Sequence, residues 1–173
     1  MHWFFLALIG PFLYALTNHI DKILLSKYFK ESGVGTLLLF SSLLSAFALP
    51  FFFLIDKSVL DVSGINILVL SFVGILNVLV LLCWLFALKN EEASIAVVFY
   101  QLVPVFGGVL GYFILGEILN QRQIMAMFII ILGTTIISFE IDLDNKFKLR
   151  KRTIVPMLAA AFFWALGSVI FKM

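Results

Sequence analysis

Long uncharged, apolar stretches alternate with short charged ones along the whole chain. Six stretches approach or exceed the length of a membrane span: Trp3–Ile20, Gly33–Ile55, Val62–Leu88, Ala93–Gly116, Gln123–Phe139 and Thr153–Phe171. A spanning helix needs about 20 mostly apolar residues to cross a hydrocarbon core of roughly 30 Å. Helices satisfy their backbone groups internally, and the stretches lack the alternating polarity of β-barrel strands. The pattern therefore predicts an all-α membrane protein, a polytopic bundle of six transmembrane helices.

Composition supports this prediction and removes other classes. Hydrophobic residues make up 63% of the 173 and charged residues only 13%, against roughly 45–50% and about 25% in a soluble domain. Cys83 is the only cysteine, and with two histidines it offers too few ligands for a zinc site. No catalytic motif or phosphate-binding glycine loop is present. We expect a membrane protein that is not an enzyme, with the lipid bilayer as its surroundings and with no catalytic residue, metal, cofactor or nucleic-acid partner.

The first stretch could be a signal peptide or a retained helix, and the loop charges bear on its placement. No basic residue precedes it, whereas a signal peptide has a positive n-region, so we expect a retained helix.

Nine Lys and Arg residues fall in loops one, three and five, and two fall in loops two and four. The positive-inside rule then predicts an N-terminus outside, in a multi-pass protein of a bacterial-type plasma membrane.

The first and sixth stretches resemble each other at an offset of 150 residues. When Phe12–Lys22 is laid over Phe162–Lys172, five of eleven positions are identical, including the terminal lysines. Five helices separate the two copies, and an odd number reverses the direction in which the second copy crosses the membrane. Such inverted repeats are the plan of many secondary transporters. The predicted domains are a five-helix repeat over 1–139, a charged cytoplasmic linker over 140–152, and the first helix of a truncated second repeat over 153–173.

Motifs around the fourth stretch carry a family resemblance. The Ala-Ser pair Ala93-Ser94 opens the stretch, and the triplet Pro104-Val105-Phe106 lies within it. The Gly-Glu pair Gly116-Glu117 closes it, and a glutamine, Gln123, stands at the start of the fifth stretch. Together they resemble the EamA domain of the drug/metabolite transporter superfamily. The resemblance implies a ten-helix inverted-repeat (5+5) transporter that moves a small molecule by alternating access. It covers one complete repeat and the first helix of a second.

Polar and aromatic side chains inside the stretches are candidates for a substrate pocket. Polar groups at membrane depth are costly and should face protein or a water-filled cavity. The candidates are Tyr14, Asn18, Asn77, Trp84, Tyr100, Gln101, Trp164 and Ser168. The alternative is interhelical hydrogen bonding, which averages about 0.6 kcal/mol in measured cases. His19 and Asp21 suggest a proton relay, although an interfacial cap beside Lys22 is the simpler interpretation.

The fourth stretch also carries candidate hinge and packing residues. Pro104 removes the helical donor for the Tyr100 carbonyl and predicts a kink. Gly107 and Gly111 form a small-residue pair that lets another helix approach. Glu117 is expected to order the turn before the fifth helix. Plain helix packing is the alternative for both glycines.

Three functions remain open at this stage. The first is an EamA-like secondary transporter of an unidentified small molecule. The second is a homo-oligomeric half-transporter, in which a second copy replaces the missing second repeat. The third is a non-transporting membrane scaffold or assembly protein, which would tolerate polar substitutions at Tyr100 and Gln101.

Overall fold

The structure is a computed structural model that describes residues 2–29, 33–47, 49–55, 62–141, 147–149 and 151–173. Helices dominate these residues. The α-helices are α1 (His2–Ile23), α2 (Val34–Ala46), α3 (Leu49–Ile55), α4 (Gly64–Asn90), α5 (Ala93–Tyr100), α6 (Val103–Leu110), α7 (Gln121–Ile137) and α8 (Lys151–Lys172). π-Helical turns follow α1 at Leu24–Tyr28 and α6 at Gly111–Leu115, and two short strands are β1 (Phe139–Ile141) and β2 (Phe147–Leu149).

Several of these helices are suited to a bilayer. Within the described residues, four ranges are long and apolar enough to span it: Val34–Phe52, Gly64–Asn90, Ala93–Leu115 and Arg152–Lys172. The apolar α7 is shorter, with 17 residues. Many large apolar side chains on these helices are exposed, as expected where lipid covers the outer surface. The prediction of an all-α membrane bundle is confirmed.

The bundle packs around α4 and α8. α8 lies along α4 and also contacts α5 and α6. The buried core gathers where α4 ends and α5 begins, and its fully buried members include Leu85, Leu88, Ala96, Phe99 and Met157. This end of the bundle is therefore the most tightly packed part of the described structure.

The fourth predicted span is broken in its middle. α5 ends at Tyr100, a turn occupies residues 101–102, and α6 begins at Val103 with Pro104 in its first turn. Short-range bonds close the turn, from Gln101 N to Val98 O and from Leu102 N to Phe99 O, both at 3.1 Å. The break falls where proline removes the donor for the Tyr100 carbonyl, because a proline nitrogen carries no hydrogen.

The junction between the fourth and fifth spans is defined by its own residues. Gly116 adopts the left-handed conformation (φ 68°) and ends the π-helical turn; glycine takes this conformation without a Cβ penalty. Asn120 then caps α7: its Oδ1 accepts from Arg122 N at 3.4 Å, and its backbone N–H donates to Gln123 Oε1 at 2.7 Å. Reciprocal capping of this kind sets the start of a helix, so the glutamine of the motif has a structural function.

The segment before α8 is partly described. β1 and β2 pair antiparallel, with Phe139 opposite Leu149 and Ile141 opposite Phe147. α8 begins at Lys151, two residues before the predicted Thr153. The rest of the predicted linker, residues 142–146 and 150, lies outside the described residues.

Candidate functional site

Two helices present matching polar and aromatic faces to each other. On α1 the face consists of Tyr14, Thr17, Asn18 and Asp21, and on α4 it consists of Asn77, Val80, Leu81 and Trp84. Both sets follow the spacing i, i+3, i+4, i+7, which places four residues on one side of an α-helix. The sequence therefore sets these eight side chains along two facing stripes.

A cavity of about 470 Å³ lies between the two stripes. Tyr100 at the end of α5 and Trp164 of α8 complete its lining. The rings of Trp84 and Tyr100 are 5.7 Å apart at 69°, and those of Tyr100 and Trp164 are 6.1 Å apart at 59°. Edge-on contacts of this kind are favourable for aromatic pairs, and they join three helices into one aromatic wall. Small-molecule sites usually have volumes of about 300–1,000 Å³.

Polar atoms in the cavity are held by local contacts. The Asn77 amide donates to Val73 O at 3.0 Å, and the Thr17 hydroxyl donates to Leu13 O at 2.9 Å. Asn18 is almost fully buried, with 6% of its surface exposed. These contacts fix side-chain directions without using the acceptor oxygens of Asn77 and Thr17, which can receive a hydrogen bond from a ligand.

Most of the predicted pocket residues meet in this cavity. Tyr14, Asn18, Asn77, Trp84, Tyr100 and Trp164 all line it. Ser168 instead lines a neighbouring groove of about 260 Å³ between α4 and α8, together with Asn77 and Trp164. Gln101 is exposed in the turn between α5 and α6 and is not among the lining residues.

The sequence analysis did not assign Thr17 and Asp21 to the pocket. Asp21 was assigned to the helix end as an interfacial cap, yet it lies in the cavity lining. The spacing of Tyr14, Asn18 and Asp21, at i, i+4 and i+7, would have placed it on the pocket face. His19, its partner in the suggested relay, is exposed and is not among the lining residues.

The hinge and packing candidates have different surroundings. Pro104 follows the break described above. Apart from its own helix backbone and chain neighbours, no heavy atom of the described chain would lie within 4 Å of a Cβ at Gly107, whereas a Cβ at Gly108 would clash with Met127 Cε of α7. The close approach thus falls one residue after the predicted glycine. A Cβ at Gly111 would meet the Glu117 carboxylate at 2.9 Å, so that glycine makes room for a side chain just beyond the end of the span.

Two lysines contact residues that flank the broken span, one at each end. Lys22 Nζ donates to the carbonyl oxygens of Leu88 and Glu91, each at 2.5 Å, just before α5 begins. Lys172 Nζ pairs with the Glu117 carboxylate just after the span ends. Glu117 therefore ties the turn to α8, a contact across 55 residues that its motif position did not reveal.

The arrangement is a half-open, aromatic and polar cavity inside a helical membrane bundle. Within the described residues, no group of three or more His, Cys, Asp or Glu side chains is placed to hold a metal ion. The family model of the EamA-like transporter family matches residues 1–139. No curated protein and no solved structure matches the chain. Because the family model covers well over half of the sequence, the chain belongs to the EamA-like transporter family.

Proposed function

We propose that the protein moves a small molecule across the membrane by alternating access, and that the cavity between α1, α4, α5 and α8 binds this molecule. The observation that carries the proposal is the depth of the polar lining. Asn77 lies at the midpoint of α4, with equal lengths of Gly64–Asn90 on either side. Secondary transporters bind substrates near the bilayer midplane, and polar side chains at that depth mark substrate pathways.

The broken span supports a moving binding site. Tyr100 lines the cavity and is also the last residue of α5, directly before the turn at 101–102. Discontinuous helices beside a central site are a recurring feature of transporters. A change of angle at this turn would move α6 relative to Tyr100 and so change access to the cavity from one side.

The test compares two asparagines on one helix. Asn77 and Asn90 both lie on α4, and each amide donates to the carbonyl four residues earlier, at 3.0 Å and 2.7 Å. Only Asn77 lines the cavity. Cells producing the wild-type protein, Asn77→Leu or Asn90→Leu at equal membrane levels would be compared with an empty-vector strain by untargeted mass spectrometry of cell extracts and medium.

We expect at least one metabolite to redistribute with the wild-type protein and with Asn90→Leu. Asn77→Leu should reduce this flux by about tenfold or more, because an unsatisfied buried polar group on the substrate costs roughly 1–3 kcal/mol. The proposal fails if no metabolite differs from the empty-vector strain, or if Asn77→Leu and Asn90→Leu behave alike.

A further inference from the structure

The cavity contains one carboxylate among its lining residues. Asp21 lies on the α1 stripe, one turn beyond Asn18, and the other nine lining residues are aromatic, aliphatic, amide or hydroxyl side chains. Asp21 is half-buried. Asp21 is therefore the lining carboxylate that can supply a negative charge to this cavity, beside polarisable rings.

The neighbouring lysine does not neutralise this charge. Lys22 directs its ammonium to the carbonyl oxygens of Leu88 and Glu91 at the end of α4. Within the described part of the chain, no hydrogen bond or ion pair engages the Asp21 carboxylate. A carboxylate in a half-enclosed, low-dielectric space attracts a cation more strongly than one in open water.

The rest of the wall favours the same kind of ligand. Tyr14, Trp84, Tyr100 and Trp164 bring four aromatic rings to one cavity, three of them in mutual contact. The negative faces of Trp and Tyr rings attract a cation within about 6 Å of the ring centroid, and quaternary ammonium groups are recognised in this way. An anion would meet both the ring faces and the Asp21 charge.

We propose that the transported molecule is an organic cation, an amine or quaternary ammonium compound, with Asp21 as its counter-ion and the aromatic residues as the wall against which its cationic group packs. This inference rests on the proposed function, since it assumes that the cavity binds the transported molecule. It assigns a specificity-determining role to Asp21, which selects the charge of the ligand while the asparagines and Thr17 offer hydrogen bonds.

The test uses two ligands of one shape and different charge. Choline carries a quaternary nitrogen. The neutral compound 3,3-dimethyl-1-butanol, called dimethylbutanol below, has a carbon atom in place of that nitrogen. Two of the three tryptophans, Trp84 and Trp164, line the cavity, so fluorescence in a Trp3→Phe background reports on that site. Purified protein in detergent would be titrated with each ligand, and Kd would be determined for both.

In this background we expect choline to bind at least about tenfold more tightly than dimethylbutanol, a difference that one desolvated ion pair and cation–π contacts readily supply. Asp21→Asn should remove most of that difference by raising the Kd for choline alone. Glu92→Gln is the matched control, because Glu92 is an exposed carboxylate at the α4–α5 junction, outside the cavity lining. It should leave both Kd values unchanged.

A second variant separates the aromatic contribution from the carboxylate. Trp164 is 42% exposed, so Trp164→Leu removes a ring without emptying the core, and Trp84 remains as the reporter. We expect it to weaken choline binding by several-fold and dimethylbutanol binding by less, since a cation gains more from an aromatic face than a neutral group does.

Several outcomes would overturn the inference. Equal Kd values for the two ligands, an unchanged preference for choline in Asp21→Asn, or no response to choline would each do so. None of these results would contradict the proposed function, because the metabolite redistribution and its loss in Asn77→Leu do not depend on the charge of the substrate. Failure of that experiment would overturn the transport function itself.

Discussion

The two ends of the broken span, α5–α6 with its π-helical turn, are held in very different ways. Beside each end lies the last-turn lysine of a 22-residue helix, which contacts residues just outside the span: Lys22 of α1 at one end and Lys172 of α8 at the other. These lysines are also equivalent positions in the predicted repeat. The C-terminal ends of α1 and α8 therefore lie at opposite ends of one spanning segment, while the inverted repeat itself stays a prediction.

At the start of the span the contact belongs to the core. Lys22 donates to two backbone carbonyls at the end of α4, and Leu85, Leu88, Ala96 and Phe99 pack tightly beside them. The Leu88 carbonyl lies in the last turn of α4, where carbonyls have no intrahelical donor. A charged donor placed in apolar surroundings is strongly bound, because both sides of the interaction would otherwise lose a partner.

At the far end the contact lies on the surface. The side chains of Lys172 and Glu117 are 65% and 43% exposed, and the span ends in a single left-handed glycine, Gly116. Exposed ion pairs contribute little to stability. α6 packs along α8, but α5 has the buried residues Ala96 and Phe99 whereas α6 has none. Under the proposed function, motion is therefore expected in α6 and its π-helical turn, beyond the turn at 101–102, rather than in α5.

The largest expected effect is the loss of the core contact. Lys22→Met should lower the free energy of unfolding by roughly 1.5–3 kcal/mol, because the carbonyl oxygens of Leu88 and Glu91 lose a charged donor in half-buried surroundings. Unfolding of the purified protein in mixed micelles, followed by circular dichroism, measures this loss. Lys27→Met is the control, because Lys27 is exposed and its ammonium lies only over the Tyr28 ring, 5.5 Å from the centroid.

A Lys22→Met variant as stable as Lys27→Met would show that the two ends of the span are held equally loosely. The contrast drawn between a fixed half and a mobile half would then have no basis.

The turn between the two halves is the next test. Pro104→Ala restores a backbone donor for the Tyr100 carbonyl and favours a continuous helix. Transport of the metabolite found with the wild-type protein should fall by about tenfold at equal membrane level, which corresponds to roughly 1.4 kcal/mol. Pro156→Ala is the control, because Pro156 lies inside the unbroken α8.

Unchanged transport in Pro104→Ala would mean that the break is only a packing feature. An equal loss in both proline variants would show that the bundle as a whole, rather than this turn, depends on its prolines.

Much of the fold follows from one-dimensional patterns. The apolar stretches predicted the membrane bundle because lipid requires long uninterrupted helices. Pro104 indicated the break from the sequence alone, because proline has no backbone N–H to donate to the Tyr100 carbonyl. Six of the eight pocket candidates line one cavity, as expected where a polar group at membrane depth needs a protein or aqueous neighbour.

The remaining features depend on which helices meet. The pairing of Glu117 with Lys172 joins residues 55 positions apart, and no local pattern indicates it. Asp21 was assigned to an interfacial cap because it lies beside Lys22; only the contacts of Lys22 with Leu88 and Glu91 show that the two charges point to different partners. Gly108, rather than Gly107, approaches Met127 of α7, and which of two adjacent glycines meets a neighbouring helix depends on how the helices pack.

A smaller effect is expected at the glycine that ends the span. Gly116→Ala places a Cβ on a residue at φ 68°, and this conformation costs a non-glycine residue about 1 kcal/mol. The same unfolding measurement should show that loss. Gly74→Ala is the control, because Gly74 lies within α4 with nothing within 4 Å of an added Cβ. It should be neutral or slightly stabilising, and equal losses in both would contradict a strained turn at Gly116.

The smallest effect is expected for the surface lysine. Lys172→Met should cost less than about 1 kcal/mol, and less still at high salt, because its ion pair with Glu117 is exposed and screened. In a double-mutant cycle with Glu117→Gln, the coupling energy should stay within the same limit. A loss equal to that of Lys22→Met would make the two ends of the span alike. The repeat-related lysines would then hold both ends firmly, and the turn at 101–102 would be the only part of the span left free to move.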